Sequence, residues 1–495
     1  MSTKHAQGIS RRSFLAGTAL ASTGAVLGLA GCAPKENKGA EEANAETGST
    51  SSDWLGSEPT VQESDIVETI DTEFLIVGAG TGGLFAACAA GEEGIETFVL
   101  EKYNGGVVRD DVGGVNSRLQ QESGYTMDLQ EYLLDMNHYA AGQCNLNLHK
   151  TWYEKSGETI DWYETVLDQY GVKLWHEAAE EKHETNYKHW ATGHSPAWPE
   201  DGSLNGFTVL SDYAEKTGHV TFRYNTPMVK LVVEGDKVVG AIVEGDDGQI
   251  QLNASVGVVV ATGDMSTNTT MCGELLTEIS DLNPTSDGFS GMGQDGMGQK
   301  MMYWAGGEFE IGPRAAMGGA NVSPMGPWQG THVLLLDKDG YRFSNEAFST
   351  SFLAGIPGAR HEAGFVSVFD SNWRATVNRM PIGHLNVKWW DDQEGHFGAK
   401  YWDNDFTADH ADSGAEGFQT SEAEHGAFTC YCSNDLATLA GYCGYEGEAA
   451  ERFVASVERY NEMCEQGADT DYAKPAEVLN KLEPPYFAIP FPTDG

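Results

Sequence analysis

Residues Thr72 to Glu101 constrain this chain more than any other stretch. Phe74-Leu75-Ile76-Val77 is a short apolar run, the composition of a strand buried on both faces of a parallel sheet. It runs straight into Gly78-Ala79-Gly80-Thr81-Gly82-Gly83, and Leu84 to Ala90 then has helix-forming composition. Gly94 ends that helix, Thr97-Phe98-Val99-Leu100 makes a second strand, and Glu101 stands at its end. Strand, glycine turn, helix, strand and acid follow in the order of a dinucleotide-binding unit. Gly78 permits the tight turn, Gly80 lets the backbone approach a pyrophosphate, and Gly83 lets helix and strand pack closely. The helix N-terminus offers free N–H groups and partial positive charge to phosphates. Glu101 can accept hydrogen bonds from a ribose hydroxyl, and its charge opposes a 2′-phosphate. A glycine-rich turn in an unrelated α/β protein is the competing reading, and the complete order of elements argues against it. The unit alone does not choose between NAD and FAD.

A second glycine-rich loop follows. Lys102-Tyr103-Asn104-Gly105-Gly106-Val107-Val108 leads through Arg109-Asp110-Asp111-Val112 into Gly113-Gly114-Val115-Asn116-Ser117. A second close approach of backbone to cofactor explains these glycines.

The chain has 495 residues, enough for two to four structural units and a large core. Apolar residues make up 40%, so most of the chain folds. Acids outnumber Lys and Arg 74 to 30, for a formal net charge of −44. Phosphate neutralisation needs clustered cations, so nucleic acid is not an expected partner. Beyond the N-terminus no apolar run approaches the ~20 residues of a spanning helix, which excludes a multi-pass membrane protein.

The N-terminus reads as an export signal. Ser10-Arg11-Arg12-Ser13-Phe14-Leu15 has the twin-arginine pattern, and a weakly apolar stretch runs from Leu15 to Ala30. Leu29-Ala30-Gly31-Cys32 then matches a lipoprotein cleavage box whose cysteine is lipidated. An ordinary hydrophobic helix is the alternative, and two signals in the right order argue against it. Removing residues 1–31 deletes Lys4, Arg11 and Arg12 and no acid, so the remainder is more acidic still. Attachment then rests on the lipid, since an acidic surface is repelled by anionic membranes. Residues 33–65 are rich in Ala, Glu, Ser, Gly and Thr and read as a flexible acidic tether. The expected location is extracytoplasmic and lipid-anchored.

Besides Cys32 the chain has Cys88, Cys144, Cys272, Cys430, Cys432, Cys443 and Cys464. Seven is odd, so they cannot all pair within the chain. Cys430, Cys432 and Cys443 have no fourth ligand at zinc spacing, so buried or unpaired thiols are expected. No Cys-x-x-Cys-His occurs, so no covalent c-type haem is attached to this chain. His176, His183, His189 and His194 lie among Trp175, Tyr187, Trp190 and Trp198. Their spacing matches no i, i+4 metal pair. The run reads as an aromatic-rich insertion without metal; a lid over a planar substrate is the functional alternative.

These residues resemble the flavoprotein subunits of fumarate reductases and succinate dehydrogenases. The similarity is greatest to the soluble, exported fumarate-reductase and urocanate-reductase-like branch, and spans about Asp65 to Pro490. The resemblance implies FAD, with Gly113-Gly114-Val115-Asn116-Ser117 running along the flavin. Asn225 to Val232 resembles the strand that touches adenine, Lys237 to Val243 reads as hairpin strands, and Val258 to Gly263 resembles the return to the dinucleotide. Gly293 to Lys300 looks like a Gly-Asp-Gly helix start with Asp295 beside the cofactor. The implied cofactor contacts are therefore Gly78, Ala79, Gly80, Thr81, Gly82, Gly83, Glu101, Lys102, Gly113, Gly114, Val115, Asn116, Val229, Ala261, Thr262, Gly263 and Asp295.

The expected fold is α/β, a Rossmann-like FAD-binding domain with an inserted α+β capping domain. The expected boundaries are signal 1–31, tether 32–65, FAD-binding domain 66–322, capping domain 323–485 and, from 486 to 495, the start of a return to the FAD domain. The family's return segment, with its substrate-binding His and Arg, is expected after this point and is missing from the sequence given. By resemblance Arg374 is the proton donor and Glu346 its relay, with Arg360 and Arg379 as rivals. Arg is an unusual acid, but it also binds carboxylates bidentately. The family's His-Pro-Thr is replaced by Glu310-Ile311-Gly312-Pro313-Arg314-Ala315, and Phe348-Ser349-Thr350 lacks the Arg that follows the relay Glu. These departures argue against fumarate itself.

The implied activity is hydride transfer from flavin to the C=C bond of an α,β-unsaturated acid or enone. Electrons would come from a separate cytochrome, flavoprotein or quinol oxidase. A ketosteroid-type flavin dehydrogenase is one alternative. A catalytically incomplete lipoprotein that binds a ligand or partner is another.

Overall fold

The structure is a computed structural model. It describes residues 54–109, 111–140, 142–176, 190–199, 201–276, 293–310, 333–346, 365–373, 375, 406–420 and 429–490.

The predicted strand–turn–helix–strand is present as β1 (Ile66–Val77), α1 (Thr81–Glu92) and β2 (Thr97–Leu100). The apolar half of β1 pairs in parallel with β2, Phe74 opposite Thr97 and Val77 opposite Leu100. Together with β6 (Val220–Arg223), β7 (Met228–Glu234), β8 (Lys237–Gly245) and β9 (Gly248–Val260) they form a six-stranded sheet ordered β6-β2-β1-β9-β8-β7. The first four strands in that order are parallel. The β7–β8 hairpin extends the sheet antiparallel beyond β9.

Alternation along β1 sends side chains to both faces. Ile76 and Val99 pack with Leu84, Ala87 and Cys88 of α1 and with Val166 and Leu167 of α4 (Leu146–Asp168), helped by Val209, Leu210 and Ala214 of α5 (Gly206–Lys216). Leu75, Val77 and Leu100 point the other way, onto Leu231, Ala241, Leu252 and Met301. Both faces are therefore covered, as a parallel sheet requires. Each fully buried Leu or Val here contributes roughly 1.5–3 kcal/mol.

A second sheet is antiparallel, ordered β10-β11-β14-β13-β12. Its strands are β10 (Leu334–Asp337), β11 (Phe365–Asp370), β12 (Phe418–Gln419), β13 (Thr429–Ser433) and β14 (Tyr486–Pro490). Leu334, Leu336, Val366 and Val368 face the helices α8 (Leu436–Tyr442) and α9 (Gly447–Gln466), burying Leu439, Phe453 and Val457. Leu335, Phe369, Trp373 and Phe406 fill the other face.

One segment differs from the sequence reading. Tyr486–Pro490 was expected to start the return to the FAD domain, yet β14 is the central strand of the second sheet, between β11 and β13. Phe487, Ala488 and Ile489 are all fully buried. A continuous apolar run marks a strand covered on both faces, but composition does not say in which sheet.

A small sheet of β3 (Val112–Gly113), β5 (Gly193–Pro196) and β4 (Leu174–His176) joins the second glycine-rich loop to the His-rich region. All described residues belong to the compact unit Ser52–Gly495. The seven cysteines after Cys32 are free thiols. Among the described residues no helix is long and apolar enough to cross a membrane.

Candidate functional site

The glycine turn is closed by backbone bonds. Gly78 donates to Leu100 O at 2.7 Å, and Ala261 donates to Val77 O at 2.7 Å. Gly78 has φ +102°, and a Cβ there would sit 2.5 Å from Ala261 O. A Cβ on Gly83 would sit 1.8 Å from Gly78 O, so α1 lies directly on the turn. The N-cap of α1 is Gly80, which supplies no side-chain cap. The first-turn N–H groups therefore remain available to a ligand.

Glu101 ties this turn to the exit of β2. Its carboxylate accepts from Ala79 N at 2.9 Å and Tyr103 N at 3.1 Å. A carboxylate has about four lone-pair sites, so acceptor capacity remains for a ribose hydroxyl. Thr81 Oγ1 accepts from Arg109 N at 2.9 Å and donates to Arg109 O at 3.2 Å, which draws the second loop over the start of α1.

These elements surround a cavity of about 730 Å³, within the usual range for a bound ligand. Gly78, Gly80, Thr81, Gly82, Glu101, Lys102, Ala261, Thr262, Gly263 and Asp295 line it, as do Arg109, Met228, Gln294 and Met297. Ala79 is fully buried and shapes the turn from behind. Val229 follows Met228 on β7. Asp295 precedes α7 (Met297–Trp304), and its Oδ1 accepts from Met297 N at 3.0 Å.

Gly113, Gly114, Val115 and Asn116 are not among the residues lining this cavity. They form a separate loop, clamped from beneath by side chains the sequence reading did not single out. Gln120 accepts from Asn116 N at 2.6 Å and donates to Gly114 O and Ala191 O at 2.8 and 2.9 Å. Ser156 Oγ accepts from Val115 N at 2.9 Å. Asn116 itself holds φ +63°, a conformation few non-glycine residues adopt. The Ser117-x-x-Gln120 spacing of a capping box was the signal available.

His194 joins this network. Its Nδ1 faces Thr192 O at 3.0 Å, and its Nε2 lies 2.8 Å from Ser117 Oγ. A carbonyl only accepts, so Nδ1 carries a proton, and in the neutral ring Ser117 donates to Nε2. The rings of His176 and His194 lie 5.0 Å apart with their planes tilted at 44°, while His183, His189 and Tyr187 lie outside the described residues. Among the described residues no group of three His, Cys, Asp or Glu side chains has metal-binding geometry.

Of the two catalytic candidates, Arg374 lies outside the described residues, as do Arg360 and Arg379. Glu346 sits in the second-sheet region with no side-chain exposure. It accepts from Arg342 Nε at 2.9 Å and Nη2 at 2.8 Å, and Lys474 Nζ lies 3.4 Å away. Arg342 also reaches Asp469 at 2.7 Å. Its guanidinium lies 5.0–5.1 Å from the ring centres of Tyr472 and Tyr460. Two cations thus face two carboxylates. Burial alone opposes a charged Arg342, but Glu346 and Asp469 outweigh it and raise its pKa. Burial likewise opposes charge on Asp469, yet hydrogen bonds from Arg342 and from Tyr472 and Lys474 N–H bring it down to about 2. Burial lowers Lys474 from the ordinary lysine value.

Residues 73–492 match the model of the FAD binding domain family. The chain belongs to this family. It is 25% identical over 511 residues to the digoxin reductase of Eggerthella lenta, covering 97% of this chain and 84% of that protein. It is 25% identical over 471 residues to a fumarate reductase (cytochrome) of Shewanella frigidimarina, covering 88% of this chain and 67% of that protein. A solved 3-ketosteroid-Δ4-(5α)-dehydrogenase from Rhodococcus jostii RHA1 shares the fold, with TM-score 0.58 at 17% identity over 87% of this chain and 85% of that one.

The protein is therefore an FAD-dependent oxidoreductase of the fumarate-reductase family. The uncapped start of α1 fits the FAD pyrophosphate, since nothing crowds Gly80 closer than Val107 O at 3.6 Å from a would-be Cβ. Glu101 fits a ribose, and Thr226–Met228, Ala261–Gly263, Gln294, Asp295 and Met297 line the cavity further. Bound FAD supplies the hydride chemistry; the chain's residues hold and orient it.

Proposed function

We propose that this oxidoreductase reduces the C=C bond of an α,β-unsaturated carboxylic acid or a similar activated alkene. The observation that carries this reading is similarity along almost the whole chain to a digoxin reductase, with fumarate reductases among the relatives. Reduction of such a bond needs hydride at one carbon and a proton at the other. Arg374 is the donor in this reading and Glu346 its relay. Electrons enter from a separate cytochrome, flavoprotein or quinol oxidase.

Export and anchoring through Cys32 belong to the same proposal. The twin-arginine pair, the apolar stretch and the lipobox cysteine support it by their order. Cys32→Ala then releases the protein from the membrane fraction.

The deciding experiment uses purified protein with bound flavin and a chemically reduced dye. Fumarate, larger unsaturated acids, unsaturated lactones and 3-ketosteroids are offered in turn. Dye oxidation by an unsaturated acid or lactone, lost in Arg374→Met with flavin retained, supports the proposal. Steroid dehydrogenation measured in a parallel assay with the oxidised dye as electron acceptor, surviving in Arg374→Met, selects the ketosteroid-type reading instead. Folded protein that never takes up flavin defeats both and leaves the ligand-binding lipoprotein.

A further inference from the structure

The FAD cavity has two walls near Glu101, and each is held to its own neighbours by backbone bonds. On one side, Glu101 O accepts from Thr226 N at 2.9 Å and Tyr103 O from Asn225 N at 2.7 Å. On the other, Gln294 O accepts from Thr267 N at 3.0 Å and Gly296 N donates to Asp264 O at 3.1 Å. Asn268 Nδ2 adds a bond to Asp295 O at 2.9 Å.

Side chains join the two walls. Lys102 Nζ pairs with Asp295 Oδ2 at 3.1 Å and also donates to the carbonyl of Gly293. The Tyr103 ring lies against Gly293, where a Cβ would meet its hydroxyl at 2.3 Å. Lys102 and Asp295 both line the cavity, and their side chains are 28% and 48% exposed. The ion pair therefore stands at the cavity's solvent edge.

We infer that the Lys102–Asp295 pair is a latch that sets how fast FAD enters and leaves. The inference rests on FAD occupying this cavity and is independent of the substrate. A partly exposed ion pair is weak and screened by salt, so it opens readily, which a deeply buried pair does not. Opening the edge lowers a barrier shared by entry and release. Breaking the pair therefore speeds both, with little change in affinity. A lysine that bound FAD directly would behave otherwise: losing it would speed release while leaving entry unchanged or slower.

The test follows flavin fluorescence during release from holoenzyme and during rebinding to the apoprotein. Lys102→Met should speed both by about two- to fivefold, and Lys102→Arg should stay near wild type. Raising salt should speed release from wild type but not from Lys102→Met. Faster release with unchanged or slower rebinding overturns the latch and makes Lys102 a direct ligand. Unchanged rates overturn it as well. If Lys102→Met does not fold, wild-type release that ignores salt overturns it. Wild-type protein that binds no flavin would instead defeat the cofactor assignment, an outcome distinct from all of these.

Discussion

The nucleotide turn and the charge cluster of the second sheet both depend on charged and polar groups, but they use them in opposite ways. At the turn the working groups are backbone N–H donors, and the nearby charges of Lys102 and Asp295 stay partly in water. In the cluster Arg342, Glu346, Asp469 and Lys474 have 6% side-chain exposure or less. Water-facing charges separate at small cost and can let a ligand pass. Buried ones cannot leave their partners without a large desolvation cost. The first arrangement suits binding, and the second holds distant chain segments together around Glu346, the proposed relay.

Breaking the buried side should have the largest effect. Arg342→Leu removes the cation that pairs with both Glu346 and Asp469, and should destabilise the second-sheet region by about 3–5 kcal/mol. Denaturant melts followed by tryptophan fluorescence measure this. If flavin remains bound after that transition, the two regions unfold separately; simultaneous loss shows one cooperative unit.

Gly83→Ala strikes the other side. Its Cβ would overlap Gly78 O at 1.8 Å, forcing α1 off the turn at a cost of about 1–3 kcal/mol. Purified protein should carry less flavin, while the second-sheet melt should hold.

Acid separates the two regions next. Asp469 titrates at about 2 in the folded protein against an ordinary 3.8. A depressed folded value stabilises the fold above the unfolded value, and that contribution disappears as pH falls from about 4 to about 2. It amounts to about 2–3 kcal/mol. Asp469→Asn should flatten stability across this window. An unchanged acid limb would remove Asp469 from the account.

The smallest effect should come from the surface of the first region. Lys150 pairs with Glu154 at 3.7 Å, each side chain at least half exposed. Lys150→Ala should change the melt by no more than about 1 kcal/mol.

How far the sequence could be read follows the same division. The run from Phe74 to Glu101 was legible because each piece is adjacent to the next and each has a local physical reason. The Lys237–Val243 hairpin was legible for the same reason, whereas the Asp295 helix start was legible only through the family resemblance. The partnership of Arg342 with Asp469 was not, since 127 positions separate them and no local pattern marks it. Gln120 was also missed, although it clamps the second glycine loop from a distance of only a few residues. Its pattern signals a helix start, whereas its side chain serves the backbone before it.

By itself the sequence determined the dinucleotide unit, the acidic surface and the family, because these depend on the order and type of neighbouring residues. Tertiary structure alone decided that Tyr486–Pro490 completes the second sheet, that Glu346 lies among buried charges, and that Lys102 reaches Asp295 across the cavity edge. Strand pairing and ion pairing depend on which surfaces meet after collapse. Hydrophobicity and charge specify what must be buried or matched, but the folded chain selects the partner.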